Sequence, residues 1–477
     1  MHLVLRLDEY YKRKSGYPLT NFLVYNYEQK GERFTLKLPT FKKGIHPREY
    51  KAYSQNREIE KLPLPDEIFI PLQQHLGYPC VPLVEKGDEV KTGQMIGKAG
   101  GFVSSPVHSS VTGKVKAIDY FPHPSGTKAE MIHVQRTDED VWELLPIPED
   151  WQNSAVDELR NTIQQAGIVG LGGAAFPTHV KLAPPEQKKI DAFILNGCEC
   201  EPYLTADHRA MVEKTDKIIT GMAIIMKILG TDKGYIGIEN NKPDAIEVIK
   251  ERIRNLNLGF RVVALQVKYP QGAEKMLIDS ILHRRVPAGG LPMDVGVVVH
   301  NVGTAMAVAD AVTEGKPLVS RIVTVTGDGI EQPKNVLARI GTPVKNLIDF
   351  CGSLKEETAQ VVMGGPMMGI AQYDLSVPIV KSTSGIVCTT DSSNKEAKSF
   401  PCIRCGSCVS ACPMLLLPTR LARLSEMEYF EEAESLGILN CVECGCCAFI
   451  CPSNIPLVQW IRIGKLKLNE MKRKAVS

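Results

Sequence analysis

The chain has 477 residues, 44% hydrophobic and 23% charged, with a formal net charge of +2. That length asks for about three to five folding units. The near-neutral charge speaks against a nucleic-acid partner, and the absence of an apolar run of 18 or more residues speaks against a membrane-spanning helix. The first residues, with Asp8, Glu9 and charges through Lys14, lack the apolar core and small-residue cleavage site of a secretory signal. Nine of the 14 cysteines lie between Cys402 and Cys451 in CxxC spacing. In a chain without such a signal this reads as metal ligation in a reducing compartment rather than as disulfides.

Residues 1–61 form a polar N-terminal segment without an assignable pattern. From Leu62 to Arg136 short apolar runs are broken by Pro and Gly, the texture of a small β domain, set at 62–140. Within it, Val84, Gly87, Asp88, Val90, Gly93 and Gln94, then Thr112 to Val115, follow the pattern of a lipoyl-like barrel-sandwich with glycines at its turns. Its expected tip, Ser104–Ser110, has no lysine to carry a swinging arm, so a scaffold or docking role is expected. His46, His75 and His108 lack metal-ligand spacing and read as structural. A Pro-rich linker, Leu145–Trp151, leads into alternating helix and strand patterns at 150–315. Helices are expected at Asp157–Ala166, Asp207–Leu229, Ala245–Asn255 and Thr304–Val312. Strands are expected at Ala192–Leu195, Gly234–Ile238, Phe260–Val267 and Gly296–His300, so this domain should hold a mostly parallel sheet. Arg321–Val325 and Val361–Met363 bracket a smaller mixed unit, and Asp391–Lys398 is a polar linker.

Cys402, Cys405, Cys408 and Cys412–Pro413 spell C-x2-C-x2-C-x3-C-P, and Cys441, Cys444, Cys447 and Cys451–Pro452 repeat it. In such two-cluster runs three cysteines hold one 4Fe–4S cluster and the fourth crosses to the other. The expected sets are Cys402, Cys405, Cys408 with Cys451, and Cys441, Cys444, Cys447 with Cys412. Tetrathiolate zinc uses similar CxxC pairs, but two consecutive four-cysteine runs with trailing prolines favour clusters. Cys446 is a spare bystander. The Leu-, Glu- and Ala-rich stretch Thr419–Leu436 should be helical, within a cluster domain at 395–456. The tail, 457–477, places Leu457, Trp460, Ile461, Leu468 and Met471 near one helical face, with Lys465, Lys467, Lys472, Arg473 and Lys474 elsewhere. It either docks on the cluster domain or touches an anionic membrane surface.

Gly170-Leu-Gly172-Gly173-Ala174-Ala175 superficially matches a dinucleotide-binding loop, but that fingerprint follows a strand, and the residues ahead of Gly170 look helical. Its glycines still permit close approach to a phosphate or a flavin ring, with Lys181 as a nearby cation. The stretch Gly170–Lys181 (GLGGAAFPTHVK) resembles the flavin-binding loop of the complex I flavin subunit and its relatives. Asn196 to Pro202, Tyr269 to Lys275 and His300 to Thr304 resemble the other loops of that site. Cys200, Tyr203, Asp207 and Arg209, together with Lys43–Pro47, Pro71–His75 and Met363–Gly369, resemble the C subunit of the Rnf ion-translocating electron-transport complex.

The resemblance covers residues 41 to 462 and implies a multidomain α+β architecture. Its parts are a barrel-sandwich domain, an α/β FMN/NADH-binding domain, a β-grasp ligand-binding-like module at 316–375 and a helical two-cluster ferredoxin domain. It implies that Gly170, Gly172, Gly173, Lys181, Asn196, Asn301 and Thr304 surround FMN. Phe176, Glu199, Glu201 and Glu274 would lie near the nicotinamide nucleotide, and no side chain is singled out as a catalytic acid or base. Ala175 stands where relatives often carry glycine, and Cys198 and Ala273 replace acidic residues of the complex I version.

Hydride from NADH is an electron pair, a cluster takes one electron, and a flavin exchanges either. The implied function is therefore a peripheral NADH-oxidising subunit on the cytoplasmic side of the cell membrane. It would pass electrons through FMN and two 4Fe–4S clusters to an iron–sulfur subunit of an Rnf-type complex. A flavin and iron–sulfur corrin reductase and a flavin-free electron wire are the alternatives.

Overall fold

The computed structural model describes residues 38–390 and 398–476, so the expectations for residues 1–37 and for the 391–397 part of the linker lie outside the described residues. The chain divides after Pro39, and the barrel-sandwich, the central sheet and the cluster domain all belong to the unit from Thr40 onward.

After a short strand β1 (Ile59–Lys61), the barrel-sandwich comprises β2 (Glu67–Pro71), β3 (Val81–Pro82), β4 (Glu89–Val90), β5 (Met95–Lys98), β6 (Val107–His108), β7 (Gly113–Pro122) and β8 (Lys128–Arg136). They form two sheets, in the orders β2-β8-β7-β4 and β3-β5-β6. Alternation drives Ile68, Ile70, Ile96, Val107, Val115, Ile132 and Val134 into one core. The expected hairpin tip at Ser104–Ser110 is not a tip. Ser104, Ser105, His108, Ser109 and Ser110 are buried, Ser110 donates to the Ile340 carbonyl at 2.5 Å, and Lys381 donates to the Pro106 carbonyl at 2.8 Å. A segment packed on its neighbours cannot swing, in keeping with a scaffold or docking role. Intact-mass spectrometry of protein from its native host should show no biotinyl or lipoyl addition; such a mass on a lysine between 62 and 136 would falsify the docking role.

The central domain contains α1 (Val156–Gln165), α2 (Thr178–Lys181), β9 (Ala192–Asn196), α3 (Ala206–Glu213), α4 (Thr215–Leu229), β10 (Gly234–Glu239), α5 (Pro243–Asn255), β11 (Arg261–Leu265), α6 (Glu274–Leu282), β12 (Val297–Asn301) and α7 (Val302–Glu314). The sheet is wholly parallel, in the order β11-β10-β9-β12. Its strands are continuous apolar runs because both faces are covered: Phe193, Ile194 and Leu195 are fully buried. The expected single helix Asp207–Leu229 is two, broken at Lys214, where φ is −127°. The Thr215 hydroxyl donates to the Met211 carbonyl at the break. Gly221 lets α4 close on α7, since a Cβ there would meet the Ala305 oxygen at 1.7 Å. The short helices α2 and α6 carry no periodic signal strong enough to mark them in the sequence.

The next module holds β13 (Ser320–Thr326), β14 (Lys334–Arg339), α8 (Val344–Phe350), β15 (Thr358–Met363), β16 (Ile370–Gln372) and β17 (Gly385–Thr390). Its six-stranded sheet runs β1-β14-β13-β17-β15-β16, so it takes in strands from both sides of the expected 316–375 segment. The cluster domain is helical as expected: α9 (Ser407–Ala411), α10 (Pro418–Glu426), α11 (Phe430–Ser435) and α12 (Cys446–Phe449), followed by α13 (Leu457–Val476). Leu457, Val458, Ile461 and Leu468 of α13 share a core with Leu421, Leu424, Ala433 and Ile438, so the tail's apolar face docks on the cluster domain. Among the described residues no helix is long and apolar enough to cross a membrane.

Candidate functional site: a glycine loop beside a cysteine-lined cavity

The chain leaves β9 for β10 and β11 on one side and returns to β12 on the other, so the strand order reverses between β9 and β12. Open parallel sheets bind ligands in the crevice that such a reversal leaves at the carboxyl ends of the strands. Asn196 ends β9 and Asn301 ends β12, directly paired in register. Asn196 donates to the Gly272 carbonyl at 2.8 Å and accepts from the Cys198 N–H at 3.2 Å. Asn301 accepts from the Gly303 N–H at 2.7 Å, which caps α7, and donates to Asp207 at 2.6 Å. Both amides are thus held by the loops they join.

The loop Gly170–Phe176 is pinched shut by the Gly170 N–H donating to the Phe176 carbonyl at 2.9 Å. Leu171 points into the core, and its N–H donates to Thr304 Oγ1 at 3.0 Å, so the fully buried Thr304 anchors the loop from behind. Gly172 and Gly173 are exposed. A Cβ on Gly172 would meet the Asn301 amide at 2.8 Å, whereas Gly173 faces open space. Among the described residues no protein acceptor takes the Gly172 or Gly173 N–H. Unpaired backbone N–H groups of this kind can receive an anion. Ala175 holds φ at +52°, in the left-handed region that glycine adopts at lower cost. Lys181 donates to Glu274 at 3.0 Å and to the Val299 carbonyl at 2.8 Å, so two of the expected ligand residues meet as an ion pair.

The acidic segment is more enclosed than the sequence suggested. The Glu199 carboxylate accepts from the Asp207 and His208 N–H groups at 2.7 and 3.2 Å, capping α3. Glu201 accepts from the Met367 N–H at 3.1 Å and lies 3.4 Å from the Tyr269 hydroxyl, so it faces the 363–369 turn and the cluster domain. Two buried lysines, which sequence reading missed, hold this segment from beneath. Lys51 donates to the carbonyls of Glu199, Glu201 and Leu204 at 2.8, 3.1 and 2.6 Å, and Lys242 to that of Cys198 at 2.7 Å. No sequence signal marks them, since an isolated lysine reads as solvated surface.

Burial pushes the Glu199 carboxyl up to about 7, with Lys51 pulling it back. Its folded value exceeds the ordinary 4.5, so between those values the native state keeps a proton that the unfolded chain releases. Stability present below pH 4.5 is therefore lost as pH rises through 7. The melting temperature of the apoprotein should fall from pH 5 to pH 8, and Glu199→Gln should flatten that fall. A Gln variant with the wild-type profile would contradict this assignment.

Cys412, Cys441, Cys444, Cys446 and Cys447 line one cavity, closed by Leu416, Leu421, Val458 and Ile461. Four of these are the crossed set expected from spacing, and Cys446, the expected bystander, lines the same space. Thiols around one space are the donors a 4Fe–4S cluster takes. The other set is open to the surface: Cys402 and Cys405 are exposed, Cys451 is half-buried and Cys408 is buried. The Phe400 N–H donates to the Ser453 carbonyl at 2.9 Å and Ser453 Oγ to the Pro401 carbonyl at 3.1 Å, bringing Cys402 beside Cys451. Tyr269 links the halves of the site. It is buried, its hydroxyl donates to the Cys444 carbonyl at 2.8 Å, and its backbone pairs with Ile45. The Lys43–Pro47 segment is therefore a strap: the Gly44 N–H donates to the Ala411 carbonyl at 3.1 Å and Lys43 Nζ to that of Val409 at 2.8 Å. Cys446 is buried against Tyr269 and Cys444, so it packs within this junction.

Four family models match in chain order: an RnfC barrel sandwich hybrid domain over residues 39–139, a Nuo51 FMN-binding domain over 163–310, an SLBB domain over 322–371 and a 4Fe-4S dicluster domain over 394–452. The chain is 51% identical to the C subunit of the proton-translocating ferredoxin:NAD(+) oxidoreductase complex of Clostridium ljungdahlii, over 89% of this chain and 93% of that one. It is 45% identical to the C subunit of the Na(+)-translocating complex of Acetobacterium woodii, over 92% and 99%. It is 43% identical to the C subunit of the ion-translocating oxidoreductase complex of Rhodobacter capsulatus, over 90% and 83%. With FMN-binding and dicluster domains in one chain and this identity across nearly its whole length, the protein belongs to the family of C subunits of ion-translocating ferredoxin:NAD(+) oxidoreductase complexes.

Proposed function

We propose that this chain is the peripheral NADH-oxidising subunit of a membrane-bound ferredoxin:NAD(+) oxidoreductase, held at the cytoplasmic face by the other subunits. The observation that carries the reading is the placement of the Cys412, Cys441, Cys444 and Cys447 cavity against Tyr269, in the loop that follows β11 of the FMN-binding domain. FMN, when bound, supplies the conversion between an electron pair and single electrons that clusters require. Gly172 and Gly173 offer bare backbone to it, Gly170 closes the loop that presents them, Lys181 offers positive charge, and Asn196, Asn301 and Thr304 set the loop edges. Phe176 and the Glu274 carboxylate, on the outer side of the same cleft, are the residues proposed to meet the nicotinamide nucleotide. Glu199 and Glu201 shape the cleft floor, since their carboxylates already accept from the protein.

The inner cysteine set faces the flavin domain and the outer set faces solvent. Phe400, Ile403, Phe449 and Ile450 are exposed near Cys402, Cys405 and Cys451, an apolar rim suited to an iron–sulfur partner that takes electrons onward. Anaerobic protein reconstituted with FMN and clusters is expected to oxidise NADH with ferricyanide as acceptor. Failure to do so would favour the flavin-free electron-wire alternative, and efficient cobalamin reduction without affinity for the partner subunits would favour the corrin-reductase alternative.

A further inference from the structure

The module built on the six-stranded sheet sends two buried cations under the glycine loop. Arg321, on β13, donates from Nη2 to the Leu171 carbonyl at 2.6 Å and from Nη1 to the Lys381 carbonyl. Lys381, just ahead of β17, donates from Nζ to the Gly167 carbonyl at 2.6 Å, at the base of the loop, and to the Pro106 carbonyl of the barrel-sandwich at 2.8 Å. Arg321 is 6% exposed and Lys381 1%. Among the described residues neither has a carboxylate within 4 Å, although Asp207 acts on Arg321 from farther off. Two desolvated positive charges bound only to carbonyls are costly to keep in a core. Their shared feature is the loop they hold.

The geometry of one peptide makes the link specific. In a trans peptide the carbonyl and the following N–H point in opposite directions. Arg321 draws the Leu171 carbonyl inward, so the Gly172 N–H is turned outward into the cleft. Thr304 fixes the other side of the same residue by accepting the Leu171 N–H. A charged donor on the carbonyl also polarises the peptide and strengthens its N–H as a donor.

We propose that Arg321 is a positioning residue for the flavin: from β13 of the six-stranded sheet it aims the Gly172 N–H at the cofactor, and its charge favours the reduced, more negative flavin. Lys381 fixes the loop base in the same way. The module thereby acts as a brace for the neighbouring domain. This role rests on the proposal that the glycine loop binds FMN.

The test uses full-length protein carrying its clusters, titrated with FMN by fluorescence quenching and then poised by spectroelectrochemistry. Arg321→Met is expected to raise the FMN Kd tenfold or more and to weaken the reduced form a further tenfold relative to the oxidised form. That second factor lowers the two-electron midpoint potential by about 30 mV. Arg321→Lys keeps the charge but not the fork, so it should hold the wild-type potential while raising Kd at least threefold. Lys334→Met, in the same module but paired with Glu60 away from the loop, should change neither. An Arg321→Met protein with intact cluster spectra and wild-type Kd and potential would overturn the proposal, as would a raised Kd at unchanged potential. If Arg321→Met does not fold, Arg321→Lys decides, and a wild-type Kd there overturns it. Wild-type protein that takes up no FMN sinks the flavin reading itself, and the positioning role with it.

Discussion

Cys444→Ser should remove the inner cluster, leave the outer one and cut onward electron transfer by about a hundredfold or more. Cys444 belongs to the inner set by its spacing; it lines the cavity, and its carbonyl takes the Tyr269 hydroxyl. Two four-iron clusters correspond to about eight iron atoms per chain, so iron should fall to about four. Oxidation of NADH with ferricyanide should persist if that small acceptor draws electrons at the flavin, while reduction of the iron–sulfur partner collapses. Cys405→Ser should also leave about four iron atoms, but with the inner signal retained and the outer one lost. Cys446→Ser should keep both, because Cys446, although it lines the same cavity, stands outside the four-cysteine spacing and belongs to neither crossed set. Iron analysis, EPR of the reduced variants and paired assays with the two acceptors separate these cases. Retention of about eight iron atoms and both signals in Cys444→Ser contradicts the crossed sets.

Lys181→Ala is expected to lower bound flavin, and Glu274→Ala to spare flavin while raising the KM for NADH. A lost charge-assisted contact costs roughly 1.5–3 kcal/mol, or about ten- to a hundredfold. The two side chains touch at 3.0 Å, which adds a condition that the linear sequence did not contain. Each single variant also frees its partner, so the double variant should lose less than the two singles combined. Heat-released flavin measured by fluorescence, with NADH–ferricyanide kinetics on all three variants, supplies the cycle. Strict additivity would show that the ion pair has no part in the holoprotein and that each residue meets its ligand independently.

Much of the architecture was legible because its signals are local. The buried parallel strands announce themselves as apolar runs such as Ala192–Leu195, and the double cysteine run carries its ligand spacing within 50 residues. Legibility failed where distant segments decide the outcome. Asp207–Leu229 reads as one amphipathic stretch, yet the chain bends at Lys214. Ser104–Ser110 reads as a polar hairpin tip, yet it is buried under Ile340 and Lys381, more than 200 residues away. Glu199 and Glu201 were placed beside a nucleotide by resemblance, and their carboxylates take backbone N–H groups that no short-range pattern reveals.

The linear order of residues was enough to set the chemistry this protein can hold. Cysteine spacing dictates how thiolates wrap a cluster, and the glycine loop leaves backbone bare, because both depend on residues a few positions apart. How those parts face one another came from packing. Tyr269 reaches Cys444 across 175 positions, Lys51 reaches the 199–204 carbonyls across about 150, and Arg321 reaches Leu171 across 150. Burying a lysine or arginine is tolerable only where folding brings carbonyls to meet it, and that meeting is a property of the packed chain rather than of any stretch within it.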